Sequence, residues 1–123
     1  MILTSPVPGG AVYDNTISAN AITGNGLGGV TIHSLLPGQD FAGNLIFTND
    51  IGTNNLGGDF DDPDTTGVYL GSVGPQSVTV AFNIIHGNHF GIFAAGPVMV
   101  VNGSLNLFLG DAVPFGSTPA YTG

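Results

Sequence analysis

The 123-residue chain has no lysine, no arginine, no glutamate and no cysteine. At an ordinary frequency of about one basic residue in ten, a chain of this length without any lies well outside globular usage. Nucleic acid and anionic membranes, which are gripped through positive side chains, are disfavoured as partners. All eight acids are Asp and the formal charge is −8. An acidic surface with no internal counter-charge recruits solvent cations, and divalent ions suit closely spaced Asp. The missing cysteine excludes disulfides and leaves the redox compartment unread. The missing lysine and arginine leave no trypsin site.

Helical periodicity is also missing. With 21 Gly and 8 Pro spread along the chain, no stretch holds an amphipathic helical repeat, and the length allows one domain at most. The longest apolar run, Gly91 to Val101, is interrupted by Pro97 and is far short of a membrane span. Membrane insertion is therefore not expected. Met1 to Pro6 lacks the basic region of a signal peptide, so the expectation is a leader already removed or a segment of a longer chain.

What the chain does have is a phrase that occurs three times, [Ile/Val]-x-x-Asn-x-Ile-x-x-Asn. Its copies are Ile17, Asn20, Ile22, Asn25; Ile46, Asn49, Ile51, Asn54; and Val80, Asn83, Ile85, Asn88. Aliphatic residues on both sides of a recurring Asn describe a strand, a sharp corner and a second strand. The Asn belongs at the corner, where a short polar side chain tolerates left-handed backbone. Each phrase is followed by Gly and an alternating aliphatic pair: Gly29-Val30-Thr31-Ile32, Gly67-Val68-Tyr69-Leu70 and Gly91-Ile92-Phe93-Ala94. Alternation at period two is strand. Ile17 to Ile46 spans 29 residues, Ile46 to Val80 spans 34, and a worn fourth copy with Val100 and Leu105 begins 20 residues after Val80. The second copy carries a loop insertion, Gly58 to Thr66. Pro8-Gly9 and Pro37-Gly38 mark a repeated joint, Ile2-Leu3-Thr4 takes the place of a Gly-led strand, and Val113-Pro114-Phe115 is its last copy.

A unit of strand, corner, strand, loop, strand predicts an all-β fold, a right-handed parallel β-helix (three-sheet solenoid) of about four coils, each adding one rung to each sheet about 4.8 Å from the last. Residues 1–115 form the solenoid and 116–123 a C-terminal tail. Inward columns are expected from Ile17, Ile46, Val80 and Val100; from Ile22, Ile51, Ile85 and Leu105; and from Val30, Val68 and Ile92. With the Asn phrase lost after Val100, the Asn series ends there.

From about Ile2 to Val113, the Asn-x-Ile-x-x-Asn phrase followed by Gly-Val/Ile-x-Ile resembles the repeat of secreted bacterial right-handed β-helix proteins of the pectin-lyase-like superfamily. The resemblance implies an inward Asn ladder at one corner, for which Asn20, Asn49 and Asn83 are the candidates. It implies nothing specific about activity, since that superfamily includes lyases, glycosidases, epimerases and adhesins. Lyase-like chemistry there uses an Arg or Lys that this chain lacks. Asp61-Asp62 matches only a fragment of a polygalacturonase-like motif, and Asp62-Pro63-Asp64-Thr65 only the start of an epimerase-like one.

Among candidate sites, Asp59, Asp61, Asp62 and Asp64 place four carboxylates within six positions, the oxygen-rich set that Ca²⁺ takes. The alternative is a solvated acidic loop. His86 and His89, with His33, could hold zinc on paper. At a corner they point different ways and read as structural, able to pair with Asp across coils when protonated. Asn102-Gly103-Ser104 has the pattern of a glycosylation sequon. Tyr69 and Phe93 fall at outward positions of equivalent strands and would form a glycan-stacking stripe if exposed. No catalytic set is complete. The expectation is a non-catalytic extracellular or cell-surface structural solenoid, stacking head to tail on copies of itself through its ends into a fibre or stalk. A carbohydrate-binding or carbohydrate-processing module is the alternative.

Overall fold

The computed structural model describes residues 1–25, 28–52 and 66–121. After β1 (Ile2–Thr4), the chain winds through β2 (Thr16–Ser18), β3 (Ala21–Thr23) and β4 (Val30–Ser34), then β5 (Leu45–Phe47), β6 (Asp50–Gly52) and β7 (Thr66–Ser72). Two further coils follow: β8 (Gln76–Ala81), β9 (Ile84–His86) and β10 (Phe90–Ala95), then β11 (Val98–Val101), β12 (Leu107–Leu109) and β13 (Val113–Thr118). Every third strand joins the same sheet. The first sheet is β1-β4-β7-β10-β13, the second β2-β5-β8-β11 and the third β3-β6-β9-β12, and all the pairings are parallel. This is a parallel β-helix of about four coils. The last strand carries the first sheet through 116–118, residues that the sequence assigns to the tail.

Stacked identical rungs explain why short strands suffice. A three-residue strand buries little alone, but in register it adds one apolar side chain to a column. Ile17, Ile46 and Val80 are cross-strand partners, as are Ile22, Ile51 and Ile85 and Val30, Val68 and Ile92. Ile46, Ile51, Val68, Val80, Ile85 and Ile92 have no exposed surface. The core is therefore a column along the axis, closed laterally by three sheets. The Pro-Gly joints stack as well, with Gly9 N–H donating to the Pro37 carbonyl at 2.8 Å.

The fourth copy departs from the expected alignment. Val100 pairs with Val78, not Val80, and the column of Ile85 continues in Phe108. Leu105 lies in a 3-10 turn, Gly103–Leu105, and is largely exposed. The copy is one residue longer between its second-sheet strand and its corner than the copy below. The left-handed Asn102 (φ 58°) and the 3-10 turn absorb that residue. Sequence spacing taken from either flank alone misplaces the other.

Candidate functional site

The Asn ladder is the most completely bonded feature of the solenoid. Asn20 N–H and Nδ2 donate to Asn49 Oδ1 at 3.0 and 3.1 Å. Asn49 donates in the same way to Asn83 Oδ1, both bonds at 3.0 Å. Asn83 in turn donates to Asn106 Oδ1 at 3.1 and 2.8 Å. The ladder thus does not end with the third phrase, as the sequence suggests, but climbs to Asn106. Each Nδ2 also donates downward to the coil below, Asn49 to Ile17 O, Asn83 to Ile46 O and Asn106 to Val80 O. Above the first rung, where Asn20 Oδ1 accepts from no described residue, the side-chain oxygen and nitrogen of Asn49, Asn83 and Asn106 are all used, which is what burial of Asn49 and Asn83 requires.

Except before Asn106, where the left-handed residue is Asn102 ahead of the 3-10 turn, the left-handed residue at these corners is not the Asn but the one before it. Asp14, Ala19, Thr48 and Phe82 have φ of 55° to 58° and precede Asn15, Asn20, Asn49 and Asn83, while Gly24, Gly43, Gly87 and Gly110 precede Asn25, Asn44, Asn88 and Asp111. A left-handed step costs about 1–2 kcal/mol for a residue with a side chain. It turns the chain so that the following amide enters the corner, where its hydrogen bonds offset that cost. The same device serves all three corners. Asn15 donates to Asn44 Oδ1 at the joint between the first and second sheets, and Asn88 donates to Asp111 Oδ1 between the third and first.

Asp111 is the one carboxylate standing in a ladder position. Its Oδ1 accepts from Asn88 N–H at 3.0 Å and Nδ2 at 2.9 Å, whereas its Oδ2 is buried with no partner. Burial raises its pKa, against the lowering pull of the Asn88 bonds and of His86. The other ladder residues aim Nδ2 at a carbonyl of the coil below, as Asn88 does toward Ile51 O. By that spacing the group assigned to Asp111 is the Ile85 carbonyl, and an ionised oxygen cannot donate to it. Because the folded-state pKa is raised, the Asp111 contribution is fully present below the unfolded value and is lost as pH rises through the folded one. Asp111→Asn supplies the missing donor. It is expected to raise stability at pH 7 by about 1 kcal/mol and to leave it nearly unchanged at pH 3, as read by urea unfolding at the two pH values.

At the upper end, no described residue lies over β11, β12 or β13. Val100, Asn102, Gly103, Ser104, Phe108 and Phe115 line a cavity of about 500 Å³ there. Leu107, Leu109 and Phe115 are about half exposed. Phe115 pairs with the fully buried Ile92 and so continues a core column to a point where nothing described covers it. Asn102 of the sequon is on this rim.

Tyr69 and Phe93 do not form an exposed stripe. Their rings stack with centroids 5.9 Å apart, but each is only 6% exposed, Tyr121 meeting Tyr69 and Phe90 packing against Phe93 at 4.9 Å in one cluster. The Tyr121 hydroxyl is 2.5 Å from His33 Nδ1, and its ring meets Tyr69 edge-on. Gly71 leaves the space, since a β-carbon there would come within 3.0 Å of the Tyr121 ring. Tyr121→Phe, which removes only the hydroxyl, is expected to cost about 1 kcal/mol in thermal or urea unfolding. An unchanged midpoint would show that the His33 bond contributes nothing.

The remaining candidates do not converge. His86 Nε2 lies 2.5 Å from Asp50 Oδ1 on the coil below, the cross-coil pair expected for a protonated His. His89 turns instead against the Phe90 ring, 4.6 Å between centroids. His33 belongs to Tyr121. Asp59, Asp61, Asp62 and Asp64 lie outside the described residues, and no group of three metal-type ligands occurs among those described. No family model, curated protein or solved structure matches the chain.

Proposed function

We propose that the chain is a non-catalytic structural β-solenoid unit that stacks head to tail on copies of itself, forming a fibre or a stalk outside the cell. The upper end carries this reading. Three sheets present edge strands there around an apolar cavity continuous with the core, and an edge strand is a template for further strand pairing. A contact between unlike ends does not close on itself and so generates a filament. The lack of Lys and Arg fits an extracellular material, because it removes trypsin-type cleavage sites.

Polarity gives the test. Phe115→Asp blocks the upper end and Leu3→Asp the lower one. Each variant alone is expected to stay at the 12.4 kDa of a single chain, and an equimolar mixture to double in mass by light scattering, with circular dichroism confirming that both remain folded. Dimers of the Leu3→Asp variant alone would mean that upper ends meet each other. Wild-type chain that stays monomeric at every concentration would remove the reading.

The carbohydrate reading is favoured by one observation, the two phenylalanines and the Asn102 and Ser104 side chains around the end cavity. Retention on immobilised polysaccharides that is lost in Phe115→Asp would support it.

A further inference from the structure

The strand count fixes how two copies can meet, given the stacking reading on which this inference rests. Thirteen strands wind over three sheets among the described residues, which together make four coils and one strand more. Suppose a second copy is laid on the upper end without rotation, its β1 on β13. Its β2 comes one strand after its β1 and therefore sits two rungs above β11. The second and third sheets would each be left with an empty rung. Turned by one third about the axis, the copy places β1 on β11, β2 on β12 and β3 on β13, and every edge receives its next strand at normal spacing.

The side chains follow the same rotation. Asn15-x-Ile17-x-x-Asn20-x-Ile22 at the lower end has the spacing of Asn106-x-Phe108-x-x-Asp111-x-Val113 at the upper end. The left-handed residue also coincides, Ala19 (φ 56°) with Gly110 (φ 73°). Ile17 then continues the column of Phe108, and Leu3, already packed against the core from below, enters the cavity beside Val100. In every ladder bond the lower coil donates to Oδ1 of the coil above. The Asp111 N–H is the next donor in that series. Asn20 Oδ1, which accepts from no described residue, is the next acceptor. Because all three corners are built from a left-handed residue and an amide, a corner between the second and third sheets can sit on one between the third and first.

We infer that copies of the 1–123 polypeptide stack by a one-third-turn screw, β1, β2 and β3 of one copy pairing with β11, β12 and β13 of the next. At about 4.8 Å per rung this gives an axial rise of about 21 Å per copy, a rotation near 120° and a repeat of about 62 Å every three copies. Helical reconstruction of filaments by electron cryo-microscopy reads all three values. A rise of about 24 Å with rotation near zero would overturn the screw while leaving stacking intact. Failure to assemble at any concentration would instead overturn the stacking reading itself. As a second measurement, Ile22→Cys and Val113→Cys should cross-link between copies under oxidation, since the screw brings β3 onto β13 with these two residues in register. Cross-linking of Leu3→Cys with Ser117→Cys, and none of Ile22→Cys with Val113→Cys, would indicate the unrotated stack.

Discussion

Asn83→Ala is expected to lower the unfolding free energy by about 4 kcal/mol, a large part of the total for a domain of this size. Asn83 sits in the middle of the ladder at 1% exposure. Its Oδ1 takes both Asn49 donors, and its Nδ2 serves Ile46 O, Ala81 O and Asn106 Oδ1. Truncation strands the Asn49 N–H and the Ile46 carbonyl where water does not reach, and each buried orphan costs about 1–3 kcal/mol. The methyl left behind fills none of the vacated space. Asn20→Ala gives the matching control, because Asn20 is exposed and sits on the first rung, where its donors can turn to water. A loss below about 1 kcal/mol is expected there. Equal losses in urea unfolding would mean that the ladder is not what holds the corners. Unchanged stability of Asn83→Ala would mean that the apolar columns carry the fold alone.

The columns were legible because inward residues of a stacked rung are constrained alike. Ile17, Ile46 and Val80 occupy one place in space and one place in the phrase. The ladder was legible for the same reason as far as Asn83. It became unreadable at Asn106, where one extra residue taken up by a 3-10 turn shifts the phrase without changing the stack. The left-handed positions left no trace, since Ala19, Thr48 and Phe82 are not residues whose identity signals a positive φ. Their conformation is imposed by the Asn that follows. Tyr121 was invisible for a different reason. It acts once, at the end of the chain, and a contact made once has no period. Its only sequence signal is the small residue opposite, Gly71, where neighbouring outward positions carry Tyr69 and Phe93. Those two aromatics read as a binding stripe because alternation tells which face a side chain takes and not what lies over that face.

That covering segment is tested at Gly96, the turn between β10 and β11. Its φ is 78°, its N–H donates to Thr118 O at 2.9 Å and its carbonyl accepts from Val98 N–H at 2.8 Å. A β-carbon at Gly96 would lie 2.1 Å from Ser72 O and 3.1 Å from the Tyr121 β-carbon. Ser72 O is backbone at the end of β7 and cannot swing away as a side chain would, so Gly96→Ala must push apart the coil below, the tail, or both. Gly110 separates this clash from backbone strain, having φ 73° but no atom within 4 Å of where a β-carbon would stand. Gly110→Ala is expected to cost about 1 kcal/mol, the left-handed penalty alone, a value that Ala19 at φ 56° shows the fold can carry. Gly96→Ala is expected to cost about 3 kcal/mol, the same penalty with overpacking added. It should also weaken the near-ultraviolet dichroism of the Tyr69, Phe93 and Tyr121 cluster, because the strand that leads to Tyr121 hangs from the Gly96 N–H. If the two variants unfold at the same urea concentration, the tail yields freely at Gly96 and Tyr121 is a loose cover over the aromatic pair. If only Gly96→Ala is destabilised and loses the aromatic signal, the turn, the tail and the outer face of the first sheet form one packed unit.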